Sequence, residues 1–270
     1  MDLTPTGDLA HDTAVTGTEG GGYRAVIRDG YGAGAGVPNG GLLLAIATRA
    51  MAETAQRPSV LTVTGHYLRR TQPGVAAIDV DVLRSGRMVM TRARLRQDSG
   101  PALHATGVFA DRAALPRRTF VQLSPPELPD PDACLSAADL GGDPNVAAHP
   151  VFGRLEHRVP PDQLHFAPGR SSSRAEIAGW FRPLVGHCDE PAVPFLMDAL
   201  YPPVFALGLL AFVPTIEFAV QVRRAPGDGW LRYRFRTRAI AGGIMEEDGE
   251  LWTAGGELIA LSRQTALPAD

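Results

Sequence analysis

The second half of this chain repeats the first half, and the duplication limits the possible folds more than any other feature. In each half an apolar segment of helical length is followed by runs that alternate between apolar and polar residues. Arg69-Arg70 in the first half corresponds to Arg223-Arg224 in the second, a shift of about 155 residues. Because this shift is far longer than a solenoid repeat, we predict two tandem copies of one domain.

Each copy combines one apolar segment with strand-like runs. The apolar segments are Leu42 to Met51 and Ala192 to Leu200, and the main runs are Leu61 to Arg70, Ala76 to Leu83, Thr215 to Arg224 and Leu231 to Arg238. The runs alternate with a period of two, which is typical of antiparallel strands with one buried face. We therefore predict an α+β domain in each copy, with one helix on one face of an antiparallel meander.

Composition divides the chain into four parts. Residues 1–22 form a polar, Gly-rich lead-in, and residues 23–111 hold the first copy. Residues 112–175 are rich in proline, so we predict a linker with only short helical or strand pieces. Residues 176–268 hold the second copy.

Charge and hydropathy argue against several classes of partner. The chain has 270 residues, is 44% hydrophobic and carries a net charge of -3, without a basic stripe for nucleic acid. Its longest apolar stretch, Val204 to Val213, is too short to span a bilayer. The N-terminus lacks the pattern of a signal peptide, so we expect a cytoplasmic protein in which Cys134 and Cys188 are reduced thiols.

Several motifs in both copies resemble a known family. They are Pro38-Asn39-Gly40-Gly41, Leu83-Arg84-Ser85-Gly86-Arg87 and Leu95-Arg96-Gln97 in the first copy, and Met197-Asp198-Ala199, Val213-Pro214-Thr215-Ile216 and Leu261-Ser262-Arg263-Gln264 in the second. With the duplicated pattern, they resemble the bacterial type II acyl-CoA thioesterases and their actinobacterial relatives. The resemblance implies a double hot-dog fold, in which each helix is wrapped by an antiparallel sheet and the two sheets pair side by side.

The resemblance also implies an activity and its residues. The catalytic Asp, Thr and Gln of the family correspond to Asp198, Thr215 and Gln264. These residues would activate a water molecule that hydrolyses an acyl-CoA or acyl-carrier thioester, without a cofactor or a metal. The family further implies a role in lipid metabolism and a homodimer or larger homo-oligomer.

The residues themselves add physical detail to this hypothesis. Asp198 is expected near the C-terminal end of the second apolar helix, where the helix dipole would cost a carboxylate about 0.3–1 kcal/mol. A carboxylate at such a position is either an ordinary solvated helix end or a functional group, and in the second case Asp198 is the base that deprotonates the water or its main anchor. We predict that the oxyanion is held where the first helix begins, at Asn39, Gly40 and Gly41, because helix N-termini bind anions.

Two other functions remain open. Dehydratases with a hot-dog fold use a histidine and a carboxylate, and His66 and His104 are the nearest histidines, although neither lies in the expected helix. A non-catalytic protein that binds acyl thioesters would keep the same fold, because fold does not determine function.

Other motifs favour no further chemistry. The Gly34-Ala35-Gly36 run lacks the spacing of a dinucleotide-binding turn, and Ser85 lacks the glycines of a nucleophile elbow. Cys188 lies between a histidine and an aspartate, but sequence neighbours rarely form a catalytic pair. His149, His157 and His165 lack the spacing of metal ligands.

Overall fold

Strands are the main regular structure of the described chain. The computed structural model describes residues 2–34, 36–116, 118–136, 149–163, 171–185, 187–209 and 212–268. The described strands are β1 Val15–Gly17, β2 Tyr23–Ile27, β3 Ser59–Tyr67, β4 Gly74–Arg84, β5 Met88–Gln97, β6 Gly100–Ala110, β7 Leu135–Ser136, β8 Leu155–Val159, β9 Ala175–Pro183, β10 Thr215–Val222, β11 Leu231–Thr237, β12 Ile240–Ala241, β13 Ile244–Thr253 and β14 Leu258–Ala266.

Helices are few and mostly short. The described α-helices are α1 Leu9–Asp12, α2 Gly40–Ala55 and α3 Val193–Leu196, and the described 3-10 turns are Arg112–Ala114, Pro131–Ala133, Pro150–Arg154, Pro161–Gln163, Glu190–Ala192 and Pro203–Leu207. None of the helices in these ranges combines the length and the apolar character needed to cross a membrane.

The strands form one continuous sheet across both copies. The strand order is β1-β2-β4-β5-β6-β3-β10-β14-β13-β11-β9-β8-β7, and β12 pairs with β13. The copies join at β3 and β10, which run antiparallel with Val63 opposite Val220. The predicted double hot-dog fold, with its sheets paired side by side, is confirmed. Part of the predicted proline-rich linker, from Leu155 to Val159, pairs with the sheet of the second copy as β8.

Helix α2 forms the centre of the first copy, as predicted. The helix is apolar over most of its surface, and Leu42, Leu44 and Ile46 are completely buried. Most of the helix is buried because β3 to β6 wrap around it and α3 packs against it from the second copy, while Glu53 remains exposed. The left-handed conformation of Gln56, with φ 51°, ends the helix.

The helix predicted over Ala192 to Leu200 in the second copy is shorter than expected. Only α3, four residues long, is α-helical, and a 3-10 turn at Glu190–Ala192 precedes it. After Leu196 the chain tightens, with the N–H of Asp198 donating to the carbonyl of Phe195 at 3.0 Å. Pro202 keeps an α-helix from running on through this segment, because its ring would collide with the carbonyl of Asp198. Asp198 consequently lies in the segment just after α3.

An ion pair at the seam between the copies supports the fold. Arg112, just after β6, pairs with the carboxylate of Glu190 from the second copy. Arg112 also donates to the carbonyl of Val60 at 2.7 Å, and Glu190 accepts from the N–H of Val60 at 2.7 Å. The Glu190 side chain is only 11% exposed, so its carboxylate depends on these partners.

We predict that Glu190→Ala destabilises the protein by about 2–4 kcal/mol, because the change leaves a partly buried guanidinium and a backbone N–H without their acceptor. Denaturant unfolding followed by circular dichroism measures this loss. Glu257→Ala is the matched control, since Glu257 pairs with Arg224 on the surface. The control should change stability by less than about 1 kcal/mol, and equal losses in both variants would contradict the role of the seam.

Candidate active site

The carboxylate of Asp198 lies at the N-terminus of α2, the helix of the other copy. Its Oδ2 accepts a hydrogen bond from the backbone N–H of Gly41 at 2.6 Å and from Nδ2 of Asn39 at 2.9 Å. Asn39 also caps α2, because its Oδ1 accepts from the N–H of Leu42 at 3.0 Å. Asn39 therefore fixes the start of the helix and the position of the carboxylate together.

The predicted dipole cost at Asp198 is wrong, and the reason is the short helix in the second copy. A helix of four residues has few aligned peptide dipoles, and Asp198 follows its end. The carboxylate instead receives an N–H from the positive end of the 16-residue α2. Helix α2 of the first copy therefore stabilises the negative charge of Asp198, which belongs to the second copy.

Glycine is required at position 41 by this close contact. A Cβ atom there would lie 2.6 Å from Cβ of Asp198 and 2.6 Å from the carbonyl oxygen of Pro194. Distances of that size are well inside van der Waals contact, so any larger residue would push the two copies apart at the site. The Gly-Gly opening of α2 thus allows the second copy to approach the helix end.

Burial raises the pKa of Asp198 from its usual 3.8 to about 7. The hydrogen bonds from Gly41 and Asn39 act in the opposite direction, because they stabilise the charged form. A carboxyl with a pKa close to neutral can take a proton from water and release it again near physiological pH. Perturbed groups of this kind cluster at functional sites.

Thr215 and Gln264 are in contact with each other. Thr215 is the first residue of β10, Gln264 lies near the end of the neighbouring β14, and Nε2 of Gln264 donates a hydrogen bond to Oγ1 of Thr215. Gln264 is buried with 7% of its surface exposed. Within the described residues, neither side chain forms a direct hydrogen bond with Asp198.

One cavity brings the three residues together. It has a volume of about 310 Å³ and is lined by Asp198, Thr215 and Gln264. Apolar side chains form much of the rest of its wall, among them Leu43, Val151, Phe152, Met197, Leu200, Phe205, Phe212, Val213 and Phe235. The cavity therefore combines an apolar wall with a few polar groups that converge from the two copies.

The residues expected to hold an oxyanion have different roles at this helix end. Asn39 and the N–H of Gly41 both donate to Asp198. The carbonyl of Gly40 accepts from the hydroxyl of Tyr67 at 2.9 Å. Among the described residues the N–H of Gly40 has no acceptor, so it is the donor of this set that remains available to a ligand.

Glu247 lines the same cavity, and sequence reasoning missed it. It lies on β13 directly opposite Gln264 and is buried with 9% of its surface exposed. Burial, followed by the charges of Asp198, Glu246 and Asp248, raises the pKa of Glu247 well above its usual value. The available signal was the strand alternation, which places Glu247 on the same inward face as Met245.

Other candidate residues lie away from this chemistry. His66 and His104 face each other across β3 and β6 and are exposed. Cys188 is buried, and burial raises the pKa of its thiol to about 12, which makes it inert. Ala35 and His165 lie outside the described residues, and within the described ones no group of His, Cys, Asp or Glu side chains is suited to hold a metal ion.

Models of protein families match both copies. One described as the acyl-CoA thioesterase N-terminal domain matches residues 27–110, and one described as the acyl-CoA thioesterase C-terminal domain matches residues 131–267. No match to the sequence was found among curated proteins.

Solved structures share the fold over almost the whole chain. A proposed thioesterase II from Thermobifida fusca YX is 26% identical, with a TM-score of 0.83 over 99% of this chain and 100% of that chain. A hot-dog protein of unknown function from Alicyclobacillus acidocaldarius is 20% identical, with a TM-score of 0.85 over 97% and 98% of the two chains.

An acyl-CoA thioesterase II, TesB2, from Mycobacterium marinum is 20% identical, with a TM-score of 0.75 over 97% of this chain and 98% of that chain. At 20% identity such a likeness shows the fold alone. The two family models, however, match most of the sequence in the expected order. The chain therefore belongs to the acyl-CoA thioesterase family.

Proposed function

We propose that the protein is an acyl-CoA thioesterase that uses water held by Asp198, Thr215 and Gln264. The observation that carries this proposal is the buried carboxyl of Asp198, whose pKa of about 7 suits a general base. It lines a largely apolar cavity together with the hydrogen-bonded pair of Thr215 and Gln264. The family membership supports the same assignment.

The reaction needs one base and one anion-binding group. Asp198 takes a proton from the water, and the water oxygen attacks the carbonyl carbon of the thioester. Thr215 and Gln264 orient the water through the hydroxyl and amide that face the cavity. The tetrahedral intermediate then breaks its C–S bond, and the products are the acid and a thiol that receives the proton held by Asp198.

The N–H of Gly40 is the proposed donor to the oxyanion. It lies at the first turn of α2, where backbone N–H groups have no partner within the helix. The positive end of the helix dipole adds to the attraction for negative charge that develops on the carbonyl oxygen. The hydrogen bond from Tyr67 to the Gly40 carbonyl holds the next peptide of the helix, which carries the N–H of Gly41.

The cavity also suits the two parts of an acyl-CoA. Phe152, Leu200 and Phe205 offer an apolar surface for the acyl chain. Arg69 and Arg70 line the same cavity and are exposed, so they are available to the phosphate groups of coenzyme A. The guanidinium of Arg70 lies 5.7 Å from the ring centroid of Phe212 at this edge.

We predict that the purified protein releases thiol from acyl-CoA substrates without an added metal, because Asp198 supplies the base that activates water. A disulfide reporter follows the release over a panel of chain lengths, with and without a chelator. The rates should be the same in both conditions. Loss of activity on chelation would contradict the metal-free reaction, and no hydrolysis of any thioester would favour a non-catalytic acyl-binding protein.

We predict that Asp198→Asn lowers kcat by about 10²–10⁴-fold, because the amide cannot accept the proton of the water. In the wild type, kcat should fall as the pH decreases below about 7, where Asp198 becomes protonated. Asp81→Asn, on β4 and outside the cavity, is the matched control and should keep full activity. Full activity of the Asp198 variant would show that another group is the base.

We predict that Asp198→Asn also stabilises the fold by about 1–3 kcal/mol at pH 8. A carboxyl with a raised pKa costs stability when it is ionised, so the wild type loses stability as the pH rises from about 3.8 to about 7. The difference between variant and wild type should therefore shrink towards pH 4. Denaturant unfolding across this range measures it, and a variant that is less stable at pH 8 would contradict the raised pKa.

A further inference from the structure

Glu247 is a buried carboxyl that the proposed reaction does not use. It faces the cavity from β13, at the position directly opposite Gln264 on β14. Residues opposite each other in an antiparallel pair point to the same face, with Cβ atoms about 4.5–5.5 Å apart. The carboxyl of Glu247 is therefore close enough to interact with the amide of Gln264.

The charges around Glu247 oppose its ionisation. Its strand neighbours Glu246 and Asp248 form ion pairs with arginines, Glu246 with Arg238 and Asp248 with Arg238 and Arg263. On the cavity side the nearby charge is Asp198, which is also negative. Arg69, Arg70 and His149 line the same cavity, but within the described chain no cation forms an ion pair with Glu247.

Glu247 can determine which side-chain atom of Gln264, Nε2 or Oε1, faces Thr215. The Nε2 of Gln264 donates to Thr215, so its Oε1 faces away from that contact and is available to accept a hydrogen bond. No hydrogen bond to Oε1 is formed by the described residues. A neutral carboxyl is a donor, whereas a carboxylate offers acceptors only.

We infer that Glu247 is a positioning residue, whose neutral carboxyl donates a hydrogen bond to Oε1 of Gln264 and so holds the amide nitrogen on Thr215. This inference rests on the proposed function, since Thr215 and Gln264 orient the water. Ionisation of Glu247 would place a carboxylate against an amide oxygen. The amide would then rotate to offer Nε2 to Glu247, and Thr215 would lose its donor.

Two variants of Glu247 test the inference through the pH dependence of turnover. Glu247→Gln keeps a donor and cannot ionise, so kcat near pH 7 should stay close to that of the wild type. The wild type should lose activity at alkaline pH as Glu247 ionises, whereas Glu247→Gln should not. Glu247→Met has no donor, so kcat should fall by roughly 5- to 30-fold with little change in KM.

Glu246→Gln is the matched control, because Glu246 is the adjacent residue and pairs with Arg238 instead. Glu246→Gln should lose activity at alkaline pH in the same way as the wild type. An alkaline loss that persists in Glu247→Gln, or a Glu247→Met variant that is folded and fully active, would overturn the inference. If Glu247→Met fails to fold, the profile of Glu247→Gln decides alone.

An infrared difference spectrum separates this inference from the proposed function. The spectrum of wild type minus Glu247→Gln at pH 7 should contain the C=O stretch of a neutral carboxyl. A carboxylate band there would overturn the inference even if the enzyme is active. A wild type without activity on every thioester would refute the proposed function, while the infrared band would still test the protonation of Glu247.

Discussion

The contact between Asp198 and the N-terminus of α2 is the interaction on which the rest of the site depends. It brings a carboxylate from one copy to the backbone N–H of Gly41 and the amide of Asn39 in the other. The contact requires a glycine at position 41, and it buries the carboxyl enough to raise its pKa to about 7. The same contact thus determines both the position of Asp198 and its raised pKa.

Duplication within one chain explains how the two copies could become different. The first copy provides the long, capped helix, and the second provides the carboxyl, the hydroxyl and the amide. The β3–β6 pair carries the same kind of bulge as the β10–β14 pair, and counted from the bulge Val63–Gly107 corresponds to Phe218–Gln264, so the first copy has no amide at this position. The chain therefore has one group of Asp198, Thr215 and Gln264, and it lies at the N-terminus of α2.

The fold could be predicted well from the sequence, because the alternation of apolar and polar residues indicates the strands and the repeated pattern indicates two copies of the sheet. The runs beginning at Leu61, Thr215 and Leu231 coincide with β3, β10 and β11 except for one to three residues beyond each strand end, and the apolar segment after Gly41 is a helix. The second helix was predicted too long, since the apolar pattern of Ala192 to Leu200 suits a helix but also suits buried irregular chain. Asp198 lies in the irregular chain between α3 and the 3-10 turn at Pro203–Leu207, and from there it reaches α2.

The site was less predictable than the fold, because its contacts join residues that are far apart in sequence. The resemblance to a family pointed to Asp198, Thr215 and Gln264, and the cavity contains all three. Neither the resemblance nor the pattern indicated that Asn39 and Gly41 would bind Asp198, or that Glu247 would face Gln264. Those relations depend on the register between strands and on the crossing of the two copies, which local patterns do not determine.

The most direct test of this account is a titration of Asp198 by NMR, which follows its side-chain carboxyl carbon together with the backbone amide of Gly41. Both signals should change with one midpoint near pH 7, because the Gly41 N–H donates to the carboxylate whose pKa burial raises. A carboxyl that titrates near its usual 3.8, or a Gly41 amide that does not respond, would contradict it.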